Sequence, residues 1–222
     1  MSGWWVLPSK TTLSLVYDYR NSPALTTNNA LIGQTGTEIS DLFGQFSKRE
    51  IYQLAKDRSA ISKSLTLSAT QNLKSDVQLT ANVTRYEWEG TSSSGGVEGA
   101  PGTGADYFYS LQLITYNNLK KNDVAITSIN FDDTANHYTY GTSFSFQYPI
   151  TKKFKLIPDF LVDYQESRHS SDHRWRFRPS IRADYRFKQW IRFEAQAGPE
   201  QVVEKMSDDT SSKTNLFVSD GF

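Results

Sequence analysis

The 222-residue chain contains no cysteine, which excludes a disulfide framework and thiolate chemistry. It carries no net charge, its 24 basic residues matching 24 acidic ones, so nothing in its electrostatics points to nucleic acid. It lacks any apolar run of about 18 residues, the length a membrane-crossing helix needs. With 37% hydrophobic residues and a mean hydropathy of -0.55, it is too polar for a helical membrane protein. Residues 1–20 have neither a basic n-region nor an apolar h-region, so no secretory signal is expected in them. The Gly/Ser-rich stretch 90–105 is not followed by Gly-Lys-Ser/Thr and has no strand-to-helix flank, which rules out a phosphate-binding P-loop. None of these absences bears on a β-barrel, whose strands cross a bilayer with about 9–11 residues, only half of them apolar.

What the chain does have is alternation. Along 175–187 the odd positions are Trp175, Phe177, Pro179, Ile181, Ala183, Tyr185 and Phe187, and the even positions from 174 are Arg174, Arg176, Arg178, Ser180, Arg182, Asp184 and Arg186. After a turn at 188–190 the pattern resumes, with Ile191, Phe193, Ala195 and Ala197 against Arg192, Glu194 and Gln196. A strand sends successive side chains to opposite faces, so one face is aromatic and the other charged. An apolar outside around a polar inside is the pattern of a transmembrane β-barrel. Aromatics make up 14% of the chain, with 12 Tyr, 13 Phe and 5 Trp, which suits girdles at the membrane interfaces.

The same reading along the chain predicts strands at 11–20, 61–70, 77–88, 106–117, 124–131, 138–148, 156–166 and 214–222, about ten in all with the two above. Trp4, Trp5 and Val6 read as the end of a preceding strand or an interfacial anchor. Tyr86 and Trp88 break the phase of their strand, which predicts a bulge. Pro158 and Pro179 each remove a ladder donor and are expected at strand ends or bulges. Residues 21–59 form an inserted loop with short helices near 38–58: Ile39, Leu42, Phe43 and Phe46 recur at helical spacing, Ser47 and Glu50 have capping-box spacing, and Ile51, Leu54 and Ala55 extend the stripe. They form a packed surface loop, cap the barrel, plug it or lie on the membrane. The connections at 71–76, 118–123, 149–153 and 188–190 are expected on the periplasmic side, and 21–59, 89–105, 132–137, 167–173 and 204–213 outside. The expected fold is therefore an all-β, antiparallel transmembrane β-barrel. It occupies 1–222 as a single domain, or forms the C-terminal part of a larger barrel. Because a barrel requires export, the chain then either has lost a signal or is a piece of a longer protein.

The stretches LPSKTTLSLVYDYRNSPALTTNNALIGQ, EIYQLAKDRSA, GGVEGAPGTGADYFYSLQLI and NLFVSDGF together resemble the C-terminal β-barrel region of Gram-negative outer-membrane proteins that carry tetratricopeptide repeats upstream. The resemblance implies an outer-membrane location, contact with outer-membrane lipid, handling by the barrel assembly machinery, and an upstream tetratricopeptide domain or periplasmic partners. Such proteins usually end in an aromatic residue read by that machinery, a role that falls to Phe222, although Asp220 departs from the apolar alternation before it. Known exporters join periplasmic tetratricopeptide repeats to a barrel, so passage of polysaccharide is the most concrete function implied.

The expected lumen-lining set is Asp159, Asp163, Arg174, Arg176, Arg178, Arg182, Asp184, Arg186, Arg192 and Glu194. The expected lipid-facing set is Trp175, Phe177, Ile181, Tyr185, Phe187, Ile191 and Phe193. The arginines either form an electropositive path for an anionic solute or are neutralised by carboxylates on neighbouring strands. Neutralisation is the preferred reading. A barrel that does not conduct, and acts as a structural or surface-interaction protein, is the alternative to a pore. His137, His169 and His173 fall in predicted outer loops with Asp132, Asp133, Asp172, Asp208 and Asp209, which raises a rim hydrolase or a metal site at His169 and His173. Polar loop tips hold such residues by default, so no catalytic residue, metal or cofactor is expected. A soluble sandwich would require a second sheet over the 175–187 face.

Overall fold

The computed structural model describes residues 1–23, 46–57, 59–92, 99–188, 190–206 and 209–221. Among these residues it is all-β apart from one helix. The strands are β1 (Ser2–Val6), β2 (Thr11–Pro23), β3 (Ser59–Lys74), β4 (Val77–Glu89), β5 (Gly104–Tyr116), β6 (Val124–Asp133), β7 (His137–Pro149), β8 (Phe154–Ser167), β9 (His173–Lys188), β10 (Ile191–Met206) and β11 (Asp209–Gly221). Each pairs antiparallel with its sequence neighbours in one 11-stranded sheet, ordered β1 to β11. Among the described residues no register joins β11 back to β1.

The expected antiparallel all-β architecture is present, with differences of detail. The strand count rises to eleven because Ser2–Val6 pairs with β2, Trp4 opposite Ser14 and Trp5 opposite Leu13. No bulge falls at Tyr86 or Trp88: β4 keeps its register with β3 and β5 through both residues. The phase changes there because the pattern of residues, not the backbone, switches faces near the strand end. The prolines lie inside strands, not at their ends. Pairing of β7 with β8 lapses between Ser145↔Asp159 and Tyr148↔Leu156, and pairing of β9 with β10 lapses between Ile181↔Ala197 and Phe177↔Gln201. Pro158 and Pro179 occupy these lapses, where the ladder is interrupted at the N–H that each ring lacks. At the second lapse the backbones crowd, and a Cβ on Gly198 would lie 2.2 Å from the Pro179 carbonyl oxygen. The segment 204–213, expected as a loop, is mostly strand, with Met206 opposite Asp209.

Helix α1 (Lys48–Asp57) fills part of the 21–59 insertion. Its capping box forms as the spacing predicts: Glu50 N–H donates to Ser47 Oγ at 3.3 Å, and Ser47 N–H donates to Glu50 Oε2 at 2.8 Å. Residues 38–45 and the side chains of Ile51, Leu54 and Ala55 lie outside the described residues, as do Asp208 and Phe222.

The β5–β6 turn shows how the short connections hold. Asn117 and Asn122 have φ of 55° and 69°, the left-handed region that Asn tolerates better than most residues. Asp123, fully buried, accepts N–H bonds from Asn118 at 2.6 Å, Leu119 at 2.6 Å and Lys120 at 2.8 Å. Burial alone would raise the pKa of this carboxyl, but the Leu119, Lys120 and Asn118 donors outweigh it and hold the group below the usual carboxylate range. A depressed folded-state pKa contributes stability that is complete above the unfolded value near 4 and is lost as pH falls through the folded value. The stability difference between wild type and Asp123→Asn is thus expected to be constant above about pH 5 and to shrink below about pH 4. Denaturant unfolding across that range measures it.

Candidate functional site: a polar face opposite an aromatic face

The two faces of the sheet are buried in the inverse of the usual order. On β9, Ile181 is 55% and Trp175 48% exposed, while Ser180 and Asp184 on the opposite face are each 7% exposed. Phe177, Tyr185, Phe187 and Phe193 are exposed with Trp175, and Ile191 is half-buried. The buried hydrophobic residues among those described are Ala60, Ile157 and Val202, all on the polar face. Among the described residues all strands belong to one sheet, and no second sheet covers the apolar face as a sandwich would require.

The apolar face is banded. Tyr109, Phe131, Tyr140, Tyr164 and Trp175 share one register row across β5 to β9. Their successive rings lie 5.8, 4.9, 6.3 and 4.6 Å apart. Beyond this row, toward the longer connections, the same face turns polar. Arg85 pairs with Glu87 at 2.7 Å, and Arg168 pairs with Asp133 while lying 4.2 Å over the Tyr138 ring. At the other end Phe154, Tyr185 and Phe193 form a second row. Between the rows the face is aliphatic and aromatic: Leu111, Ile129, Val162, Phe177 and Ile181.

The polar face has two halves. From β2 to β7 it carries hydroxyls and amides that bond across strands: Thr66 with Thr84 at 3.0 Å, Asn82 to Ser110 at 3.0 Å and Gln112 to Ser128 at 3.4 Å. From β8 to β10 it carries the predicted charges. Arg176 Nε donates to Asp163 Oδ2 at 2.8 Å, Arg192 reaches Asp184 at 2.5 Å, and Arg182 reaches Glu194 at 3.3 Å. Gly141 stands opposite Asp163, and a Cβ there would lie 2.8 Å from Asp163 Oδ1, so the missing side chain leaves room for the carboxylate. Arg178 lies 4.3 Å over the Phe217 ring. Asp159, expected as a partner, faces Ser145 and Ser180 across the strands and forms no ion pair among the described residues. Arg174 instead takes Glu204 at 3.3 Å. Glu204 escaped the sequence reading because its surroundings are polar on both faces, which hid the alternation; its position opposite Arg174 is the signal that the register supplies.

Among the described residues, His137, His169, His173 and Asp133 form no hydrogen bond with one another. Asp133 lies on β6 and is taken by Arg168. His137 and His173 open β7 and β9 rather than lying in loops. His169 Nε2 is 3.2 Å from the Ala135 carbonyl, and His173 Nδ1 is 3.3 Å from the Ser171 carbonyl. Among the described residues no group of three or more His, Asp or Glu is placed to hold a metal ion.

No protein-family model matches the chain, and no curated protein matches it.

Proposed function

We propose that this chain forms the membrane-spanning wall of an outer-membrane β-barrel and that its polar face lines a route for polar solutes. The observation that carries this reading is the spacing of the two aromatic rows. Trp175 and Tyr185 stand ten residues apart on β9, about 34 Å of strand at about 3.4 Å per residue. For a strand tilted by about 45° this projects to about 24 Å, which matches the apolar band of about 25 Å between the aromatic girdles of outer-membrane barrels. The change to Arg85, Glu87 and Asp133 just beyond the upper row fits an interface at that level.

The charged half supports a route that stays open. Its ion pairs join adjacent strands, β8 to β9 and β9 to β10, so they lie along the wall. The resemblance to barrels with upstream tetratricopeptide repeats adds polysaccharide as the most concrete cargo, and with it outer-membrane lipid, the assembly machinery and a tetratricopeptide partner. The same ion pairs favour a second reading, in which they brace a barrel that does not conduct and whose outer connections meet a partner. Single-channel recording in a planar bilayer separates the two. Steady, ion-selective openings are expected for the pore, whereas insertion without conductance would move the assignment to the second reading. A protein that stays soluble and monomeric in lipid would overturn both.

A further inference from the structure

We propose that the polar face holds, at its short-turn end, a binding site for a solute that carries an acidic group beside a hydroxyl. A cavity of about 430 Å³ lies between the β7–β8 turn and the start of β10, within the size range of small-molecule sites. Six cations line it: Lys152, Lys153, Lys155, Arg182, Arg186 and Arg192, with Asp184 as the one carboxylate. Arg192 is held by Asp184 and Arg182 by Glu194. Lys152, Lys153, Lys155 and Arg186 form no ion pair among the described residues. Four uncompensated like charges around one concavity raise the local concentration of anions, and a phosphate, sulfate or carboxylate is the group they fit.

A second observation gives the ligand its other half. Asp184, 7% exposed, uses Oδ2 for Arg192 and leaves Oδ1 buried without a hydrogen-bond partner, as is Nε of Arg182 two residues earlier on the same face. Buried polar atoms are normally satisfied. Both side chains line the cavity, so a small turn of either one brings its unsatisfied atom to a ligand that offers a hydroxyl to Oδ1 and an anionic oxygen to Nε–H. The site deepens the pore reading by giving the solute a chemical class. It rests on that reading only for how the solute arrives, because binding does not require conduction.

Titration calorimetry of the folded protein in non-ionic detergent tests it, with glucose 6-phosphate, inorganic phosphate and glucose as probes. Glucose 6-phosphate is expected to bind saturably and at least tenfold more tightly than inorganic phosphate, and glucose to give no signal. Lys153 and Arg186 are exposed, so Lys153→Gln with Arg186→Gln is expected to fold and to weaken glucose 6-phosphate at least tenfold. Lys121→Gln, in the β5–β6 turn outside the cavity, is expected to leave binding unchanged. Asp184→Asn is expected to reduce the preference over inorganic phosphate to less than threefold. No saturable binding to the wild type, equal affinity for the two phosphates, or equal weakening by Lys121→Gln would each overturn the proposal. Displacement of glucose 6-phosphate by short-chain phosphatidylglycerol would overturn its assignment to a soluble solute. Binding without conductance would leave this site standing and remove the pore, and conductance without binding would do the reverse.

Discussion

Arginine in place of Ile181 is expected to destabilise the lipid-embedded protein by about 2–4 kcal/mol, the cost of this side chain at the bilayer midplane. Ile181 lies between the two aromatic rows, 55% exposed, with Pro158 and Ala197 as its cross-strand neighbours. Nothing in the protein would be displaced by a longer side chain there. In water such an exposed substitution falls within about 0.5 kcal/mol, so the medium alone decides the outcome. At about 1.4 kcal/mol per factor of ten, the expected shift is about 30- to 700-fold in the folding equilibrium. Ser145→Lys is the matched control, since Ser145 is on the polar face opposite Asp159, where a cation gains a partner. It is expected to change stability by less than about 0.5 kcal/mol. Reversible denaturant unfolding in phospholipid vesicles measures both. An Ile181→Arg cost as small as the control's would mean that the aromatic face does not meet lipid.

That expectation starts from a pattern visible in the sequence. The alternation at 175–187 is legible because each residue's face depends only on its parity, and no turn interrupts it. The capping box of α1 is legible for a similar reason: Ser47 and Glu50 interact over three residues of chain. What could not be read depends on register. The partner of Arg174 is Glu204, thirty residues on, and its identity follows from pairings along β9 and β10. The placement of Pro158 and Pro179 inside strands depends on where two neighbouring ladders lapse, a property of strand pairs rather than of one strand. The cavity at the short-turn end gathers Lys152 and Lys153 from a turn with Arg186 and Arg192 from two strands, and no linear motif joins them. Parity gave each arginine its face, but neutralisation had to be decided pair by pair: among the described residues it holds for Arg174, Arg176, Arg182 and Arg192, and not for Arg178 or Arg186.

The pair of Arg176 and Asp163 allows that neutralisation to be weighed. Arg176→Met removes two hydrogen bonds to Asp163 Oδ2 and leaves a carboxylate whose side chain is only 17% exposed. Stranding such an acceptor costs about 1–3 kcal/mol. This falls short of the roughly 3–5 kcal/mol for breaking a fully buried pair, because the Arg176 side chain itself is 41% exposed and water reaches the site. Asp163→Leu is expected to cost less, under about 1 kcal/mol, since the freed guanidinium can turn to solvent. The double variant strands neither charge and is expected to recover to within about 1 kcal/mol of wild type, as happens when both members of an ion pair are replaced by apolar residues. A double-mutant cycle in vesicles would therefore show a coupling of about 1–2 kcal/mol, and independent additive losses would mean that the pair does not brace the sheet. The same variants bear on the route. Because the pair joins β8 to β9 along the wall, its removal is expected to leave single-channel conductance within about twofold of wild type while stability falls, as suits side chains that line rather than block a channel. A conductance that appeared only when the pair was removed would instead make Arg176 and Asp163 part of what closes the lumen.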